Sequence, residues 1–165
     1  DAARGAYVPW RFEAAFGMRA QPALVVQDGD DAFCLRGLID RVDRAPDGRV
    51  RIIDYKTAGP YGFTDRAFKE GVKLQIALYA LATGSALGLG RVEDGFYWHV
   101  RHAEQSRFSL ARYGVSQALD LARQHAWEAV RGARAGRYTP LPPHDGCPAY
   151  CPAAAFCWRY APHAY

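Results

Sequence analysis

The chain contains 165 residues, of which 50% are hydrophobic and 23% are charged, and its net charge is +4. This length suits one ordinary domain with a proper core, and no apolar run approaches the roughly 20 residues that a membrane-spanning helix needs. The positive charge comes from 18 Arg and 3 Lys against 17 acidic residues, a balance that fits a phosphate-bearing partner without demonstrating one.

The start of the chain bears on its origin and location. No basic segment followed by an apolar stretch is visible, so no secretory signal is predicted. The sequence opens at Asp1 without a methionine, and we therefore expect residues 1–165 to be a single domain, the C-terminal fragment of a longer polypeptide. This domain is expected to be soluble and cytoplasmic, with no membrane partner.

The first third of the chain carries the signals of a small sheet. Residues 7–17 are interpreted as the end of a helix or as an extended lead-in, stopped by Gly17. Three strands separated by Asp- and Gly-rich turns follow, at residues 23–28, 33–43 and 49–56. Together they predict a three-stranded antiparallel meander in which the second and third strands lie side by side.

Charged residues meet on the second and third of these strands. The second contains the stretch Gly37–Asp43 and the third the stretch Arg51–Thr57. Because side chains two apart in a strand share a face, Asp54 and Lys56 point the same way, with Asp40 on the neighbouring strand. Two carboxylates and one ammonium are therefore expected at one spot of an otherwise apolar sheet.

Two interpretations of this spot are open. Structural ion pairs are common on protein surfaces, so the three groups could form a salt-bridged triad at a strand end. Alternatively, the two carboxylates hold Mg²⁺ or Mn²⁺, and Lys56 positions or deprotonates a metal-bound water. Burying an unpaired charge is costly, so either interpretation requires that these charges be compensated.

The next segment, residues 64–82, has a helical pattern. It carries an apolar stripe, and Thr64 is placed to cap its N-terminus. Gln75 and Tyr79 are one turn apart on a neighbouring face. Taken alone, they form an ordinary pair on a helix surface.

The second half of the chain continues the alternation of strands and helices. Residues 94–101 and 105–110 predict a hairpin, and residues 114–135 predict a long helix that Gly136 ends. His99 and His102 have no motif beside them. Both are therefore interpreted as strand or turn residues and not as acid–base or metal-binding groups.

Three of the four cysteines lie close together near the end of the chain, in a segment spanning residues 144–160: Cys147, Cys151 and Cys157. Clustered thiolates on one loop bind zinc or an iron–sulfur cluster, because they are soft ligands that can wrap one ion. A disulfide is the competing interpretation. An intracellular chain would keep its thiols reduced, and three cysteines leave one unpaired.

Three motifs in order resemble a known family: G-x-I-D-R-x-D at Gly37–Asp43, I-D-Y-K-T at Ile53–Thr57 and Q-x-x-x-Y at Gln75–Tyr79. This arrangement resembles the PD-(D/E)XK nuclease superfamily, in particular its RecB-like branch in bacterial recombination helicase–nucleases of the AddB type. The resemblance covers roughly residues 10–160. It implies an α/β, restriction-endonuclease-like fold, with a central mixed sheet flanked by helices and a C-terminal cysteine-rich loop.

The resemblance also implies roles for individual residues. It implies a Mg²⁺ or Mn²⁺ site whose ligands are Glu13, Asp40, Asp54 and the Tyr55 carbonyl. Lys56 would orient or activate the attacking water. Gln75 and Tyr79 would support Lys56 or contact the DNA backbone.

The cysteine loop resembles the C-terminal triad of AddB-type nuclease domains, which hold a [4Fe–4S] cluster with a fourth, distant cysteine. This sequence departs from that cysteine pattern in two ways. Three residues separate the first two cysteines where two are expected, and the fourth ligand is not evident. Cys34 is the one candidate, but we expect it to be a small buried strand residue and the missing ligand to precede Asp1. The family's upstream histidine ligand is also not seen.

The sequence therefore predicts a metal-dependent DNA nuclease, the exonuclease module of a recombination or repair helicase–nuclease with a helicase domain or subunit as partner. The main alternative is a nuclease-like module that grips DNA or a helicase without performing chemistry. A third possibility is a structural domain whose fold is stabilised by bound zinc. Metal-dependent cleavage of DNA separates the first two, and iron content separates the cluster from zinc.

Overall fold

The computed structural model describes residues 7–140 and 146–162. The chain divides into two compact units, Asp1–Ala126 and Trp127–Tyr165. The first contains all the strands and helices that surround the charged motifs, and the second contains the cysteine segment. The expectation of one domain stays a prediction. Within the described ranges, no helix has the length and apolar character needed to cross a bilayer.

The first unit is built on a five-stranded sheet with the order β1-β4-β5-β6-β7. Its strands are antiparallel except for β5 and β6, which run parallel, so the sheet is mixed as expected. A separate two-stranded hairpin consists of β2 and β3. The strands are β1 (Val8–Phe16), β2 (Leu24–Asp28), β3 (Asp31–Leu35), β4 (Gly37–Arg44), β5 (Val50–Lys56), β6 (Val92–His99) and β7 (Glu104–Ser109).

The predicted hairpin across residues 28–31 is present, since β2 pairs with β3, and β4 pairs with β5 as expected. The single meander of residues 23–28, 33–43 and 49–56 is wrong, because its second strand is divided between two sheets. Residues 33–43 do not form one strand, because the chain leaves extended pairing at Arg36. The part beyond it, β4, pairs with β1 along the whole of that nine-residue strand. β1 offers a longer ladder than the five-residue β2, and more backbone groups are paired this way.

Four α-helices are present in the described ranges: α1 (Asp65–Lys69), α2 (Gln75–Leu81), α3 (Leu110–Tyr113) and α4 (Val115–Arg134). The Thr64 hydroxyl accepts from the Ala67 N–H at 3.2 Å, which confirms it as a cap. The single helix predicted over residues 64–82 is wrong, because the chain turns at Gly71, whose φ of +76° ends α1. α4 matches the predicted long helix, and Gly136 follows it with a φ of +70°.

Close packing of α2 on the sheet brings the Q-x-x-x-Y motif to the charged strand. A Cβ at Gly95 of β6 would lie 2.8 Å from Ile76 Cγ2, so glycine is what allows α2 to approach β6 closely. Ile76 and Ile52 are fully buried on this face. The first residue of α2, Gln75, therefore lies beside the end of β5, where Lys56 stands.

A second charged group stabilises the pairing of β4 with β5 from the other face of the sheet. Asp43 is fully buried. The Arg41 guanidinium donates to it at 2.5 and 3.0 Å, and the Arg51 guanidinium donates at 3.0 and 2.9 Å. A buried carboxylate is tolerated when it is paired in this way.

Replacement of Asp43 by alanine is expected to lower the free energy of unfolding by about 3 kcal/mol, because it leaves two arginines without their shared counter-charge. Urea denaturation measures this loss. The matched control is Asp120→Ala, which removes an exposed carboxylate from an i,i+3 pair and should change stability by at most about 0.5 kcal/mol. Equal small effects of both changes would contradict this role for Asp43.

Candidate active site

Strands β4 and β5 separate at the two aspartates Asp40 and Asp54, and this opening between the strands is called the fork below. β4 and β5 pair from Arg44↔Val50 to Arg41↔Ile53 and then separate, and the next residues along the two strands are Asp40 and Asp54. The Tyr55 N–H donates to Asp40 Oδ2 at 2.8 Å. The carboxylate thus accepts the hydrogen bond that a strand partner would otherwise accept, and it spans the gap between the strands.

The Tyr55 carbonyl faces the same gap. In an extended strand, the N–H and C=O groups of one residue point to the same edge. Since the Tyr55 N–H is directed towards Asp40, its carbonyl is directed towards β4 and away from β6. The fork therefore presents a carbonyl oxygen together with two carboxylates.

Asp54 is the most enclosed member of the site, with 1% of its surface exposed. Lys56 Nζ lies 2.5 Å from Asp54 Oδ2. This ion pair is the contact that Oδ2 makes, and no further donor among the described residues reaches it. Burial raises the pKa of Asp54, the Lys56 ammonium opposes that rise, and the charge of Asp40 adds to it.

Lys56 is held by a short chain of hydrogen bonds that begins on α2. Its ammonium donates to Gln75 Oε1 at 2.8 Å, and Gln75 Nε2 donates to the Tyr79 hydroxyl at 2.7 Å. Burial raises the pKa of Tyr79, so its hydroxyl keeps its proton at neutral pH. Gln75 and Tyr79 thus lie one and two hydrogen bonds from the lysine, an arrangement that suits positioning it.

Two residues at this site, Tyr97 and His99, were given no role in it from the sequence. The Tyr97 ring lies 5.4 Å from Lys56 Nζ, a cation–π distance. His99 is fully buried, and its Nδ1 lies 2.7 Å from the Ala58 carbonyl oxygen, to which it donates. His99 thereby fixes the loop after Lys56. The alternation of β6 was the available signal, because it places both residues on the face that Lys56 shares.

Glu13 lies on β1 at the level of Asp40, between the pairs Phe12↔Arg41 and Ala14↔Ile39. Its φ of +47° is unusual for a residue with a side chain. The side chain lines a cavity of about 350 Å³ together with residues such as Arg19. No group of three or more His, Cys, Asp or Glu residues in the described ranges is arranged to hold a metal. Glu13 is therefore not gathered with the two aspartates, and its role as a ligand stays a prediction.

The donor set at the fork fits a divalent cation. Mg²⁺ is commonly held by one or two carboxylates and keeps several waters, so Asp40, Asp54 and the Tyr55 carbonyl are sufficient in kind and number. The observation that supports this fit is the near-complete burial of Asp54, whose Oδ2 has the Lys56 ammonium as its one close partner among the described residues. A bound cation would also offset the repulsion between the two acids.

The cysteines do not form such a set. Cys147 is buried, and its N–H donates to the Ala161 carbonyl at 2.5 Å, whereas Cys151 and Cys157 are half-buried. No three of the described thiols are grouped to hold a metal, and the role of Cys147, Cys151 and Cys157 as cluster ligands stays a prediction. Cys34 is exposed on β3 and not buried as expected. Residues 144 and 145 of the predicted segment lie outside the described residues.

Comparison with known proteins agrees with this geometry. A profile of the PD-(D/E)XK nuclease superfamily matches residues 1–158, and the chain belongs to this superfamily. Over 82 residues the chain is 33% identical to an ATP-dependent helicase/deoxyribonuclease subunit of Streptococcus mutans serotype c. That match covers 50% of this chain and 8% of the relative, so the chain corresponds to a small part of that protein's length.

The raised pKa of Asp54 predicts that its ionised carboxylate lowers the stability of the folded protein at neutral pH. The folded protein holds the Asp54 proton more tightly than the unfolded chain does, so the stability from this group is complete at low pH and is lost as pH rises through the folded pKa. Without divalent metal, Asp54→Asn should therefore be more stable than the wild type at pH 7, and the difference should disappear below about pH 4.

Thermal denaturation between pH 4 and 8 measures this difference, with the exposed Asp120→Asn as the control that should show no such trend. Excess Mn²⁺ should raise the Tm of the wild type but not that of Asp54→Asn, because only the wild type has the ligand. If Asp54→Asn were less stable than the wild type at pH 7 without divalent metal, the conclusion that ionised Asp54 destabilises the fold would be contradicted.

Proposed function

We propose that this chain is a metal-dependent deoxyribonuclease domain that hydrolyses phosphodiester bonds at the fork between β4 and β5. The observation that carries the proposal is the convergence of Asp40, Asp54 and Lys56, in which the Tyr55 N–H bridges to Asp40 at 2.8 Å and Lys56 Nζ lies 2.5 Å from Asp54. A structural salt bridge would pair both acids with bases, whereas here Lys56 pairs with Asp54 and Asp40 accepts from a main-chain N–H.

The chain's own residues provide the positioning for this reaction. Asp40, Asp54 and the Tyr55 carbonyl would hold Mg²⁺ or Mn²⁺, which supplies charge stabilisation at the phosphate and a more acidic water. The Lys56 ammonium, held between Asp54 and Gln75, can donate to a phosphate oxygen or orient the attacking water. Gln75 and Tyr79 limit the rotamers of Lys56, so that its ammonium stays at the fork.

The relative's name supports a more specific role. The Streptococcus mutans protein is described as a helicase and a deoxyribonuclease, which supports DNA as the substrate and a helicase domain or subunit as the partner. On this basis we assign the domain to the exonuclease module of a repair helicase–nuclease. The modest positive charge of +4 suits a polyanionic substrate.

Substitution of the site residues tests the activity. With Mg²⁺ or Mn²⁺, the wild-type chain should degrade linear DNA, whereas Asp54→Ala and Lys56→Ala should each lower the rate at least about 100-fold, as expected for the loss of preorganised charge at the reacting phosphate. Both variants should keep the wild-type circular dichroism spectrum. Asp120→Ala, at an exposed helix position, should cleave like the wild type.

The outcome also separates the alternative function. A wild-type chain that binds DNA but cleaves none with either metal would be a binding module without chemistry. Full activity in Asp54→Ala or in Lys56→Ala would overturn the proposed site.

The three late cysteines have a separate proposed role. Their spacing supports a [4Fe–4S] cluster with zinc as the alternative, although the described residues do not group them. Iron, sulfide and zinc analysis of protein purified without oxygen decides between these metals. Cys151→Ser should lower the content of whichever metal is bound. Absence of both metals from the wild type would sink the prediction of a metal site.

A further inference from the structure

A cavity lies on the reverse face of the strand that carries the site. Along β5, Asp54 and Lys56 face α2, and the alternating residues face the other side. The hydrogen bond at 3.0 Å from Arg41 Nη1 to the Tyr55 hydroxyl lies on this reverse face. The cavity measures about 450 Å³, and its lining residues are Arg41, Arg51, Ile53, Tyr55, Phe96, Trp98 and Gln105.

All lining residues come from four neighbouring strands, β4 to β7, so the cavity is a depression in the sheet itself. Its floor is apolar, because Ile53 and Phe96 are 5% and 6% exposed. Half-buried Trp98 and 38% exposed Tyr55 form aromatic walls. The volume is within the range of pockets that hold a small molecule or one building block of a polymer.

The charge of the cavity favours an anionic ligand. Arg41 and Arg51 both pair with the one buried carboxylate of Asp43, which leaves one positive charge in excess among these three groups. The Arg51 guanidinium also lies over the Phe96 ring at 5.9 Å. A ligand that suits this lining has a flat apolar part to stack on Trp98 and a negative group to approach Arg51.

We propose that this cavity binds an unpaired nucleotide of the DNA strand. The base would stack on Trp98 or Tyr55, and the phosphate would approach Arg51, which is the combination that proteins use on single-stranded nucleic acid. The proposal rests on the proposed function, since the Tyr55 main chain also bonds Asp40 at the fork. The cavity and the fork therefore lie on opposite faces of β5. A DNA end that is held in the cavity would stay close to the fork.

Tryptophan emission of the full chain, titrated with a single-stranded oligothymidylate of about 12 nucleotides in chelator, tests this proposal. Of the four tryptophans, Trp98 should report the ligand. Quenching should occur in the wild type and in Trp158→Phe, whose residue is 77% exposed in the second unit, and should be lost in Trp98→Phe. Quenching that persists in Trp98→Phe would overturn the proposal.

Affinity gives an independent test. Trp98→Ala should raise the Kd for the single strand about 10-fold, the effect of losing one base–aromatic stack, and should change the Kd for a duplex less than about twofold. An unchanged Kd, an equal loss for the duplex, or a wild type that binds no oligonucleotide would overturn the proposal. In the last case, the cavity would be a surface for a protein segment.

Hydrolysis of bis(p-nitrophenyl) phosphate separates this proposal from the proposed function. At a saturating concentration this small diester reports the chemistry of the fork alone, so Trp98→Ala with Mn²⁺ should keep the wild-type kcat for it while the KM for the oligonucleotide rises. A loss of both activities would mean that the substitution damages the fold or the fork, and this would count against a nucleotide pocket. A wild type that binds the single strand through Trp98 but hydrolyses no diester would retain the pocket and refute the nuclease.

Discussion

The hydrogen bond from the Tyr55 N–H to Asp40 Oδ2 is the interaction on which the site depends. If the two antiparallel strands stayed paired, their N–H and C=O groups would hydrogen-bond to each other, and no polar main-chain atom would be left for a ligand. Here the strands part after Arg41↔Ile53. The Asp40 carboxylate satisfies the exposed N–H, and the opposite edge of β5 remains supported by its parallel pairing with β6.

The fork concentrates charge that the fold alone does not balance. Asp54 is almost fully buried and pairs with one ammonium, and no ion pair to Asp40 is found in the described part of the chain. Asp43, on the paired side of the fork, shows what a balanced buried carboxylate looks like, because two guanidiniums neutralise it completely. The difference is physically informative. Asp43 accepts four hydrogen bonds from two guanidiniums, whereas Asp54 has one ammonium beside it, so its charge is less completely balanced.

Much of the site could be predicted from the sequence, because it depends on short-range geometry. The alternation of Asp54 and Lys56 fixes their common face, and the spacing of Gln75 and Tyr79 fixes their contact on one helix turn, which the 2.7 Å hydrogen bond confirms. The pairing of β1 with β4 could not be predicted in this way. It is a choice between distant partners, in which the nine-residue β1 prevails over β2, and no local pattern near Glu13 records it.

The break in the predicted helix has a similar origin. The apolar stripe of residues 64–82 indicates a helix, but Gly71 lies in the left-handed region and allows the chain to turn before α2 begins. That turn gives α2 its own direction, and Gly95 then admits Ile76 to the sheet. Without the break, Gln75 would follow the course of α1 and would not meet Lys56 at 2.8 Å.

Tyr55 links the two faces of the sheet. Its main chain belongs to the fork, and its hydroxyl accepts from Arg41, which also neutralises Asp43 on the reverse face. The ring turns about its own side-chain torsions, so a ligand on the reverse face changes the Arg41 hydrogen bond first and reaches the Asp40 hydrogen bond only when the Tyr55 backbone moves as well. Alternation along β5 separates the residues that face the fork from those on the reverse face, and Tyr55 is a residue that is hydrogen-bonded on both sides.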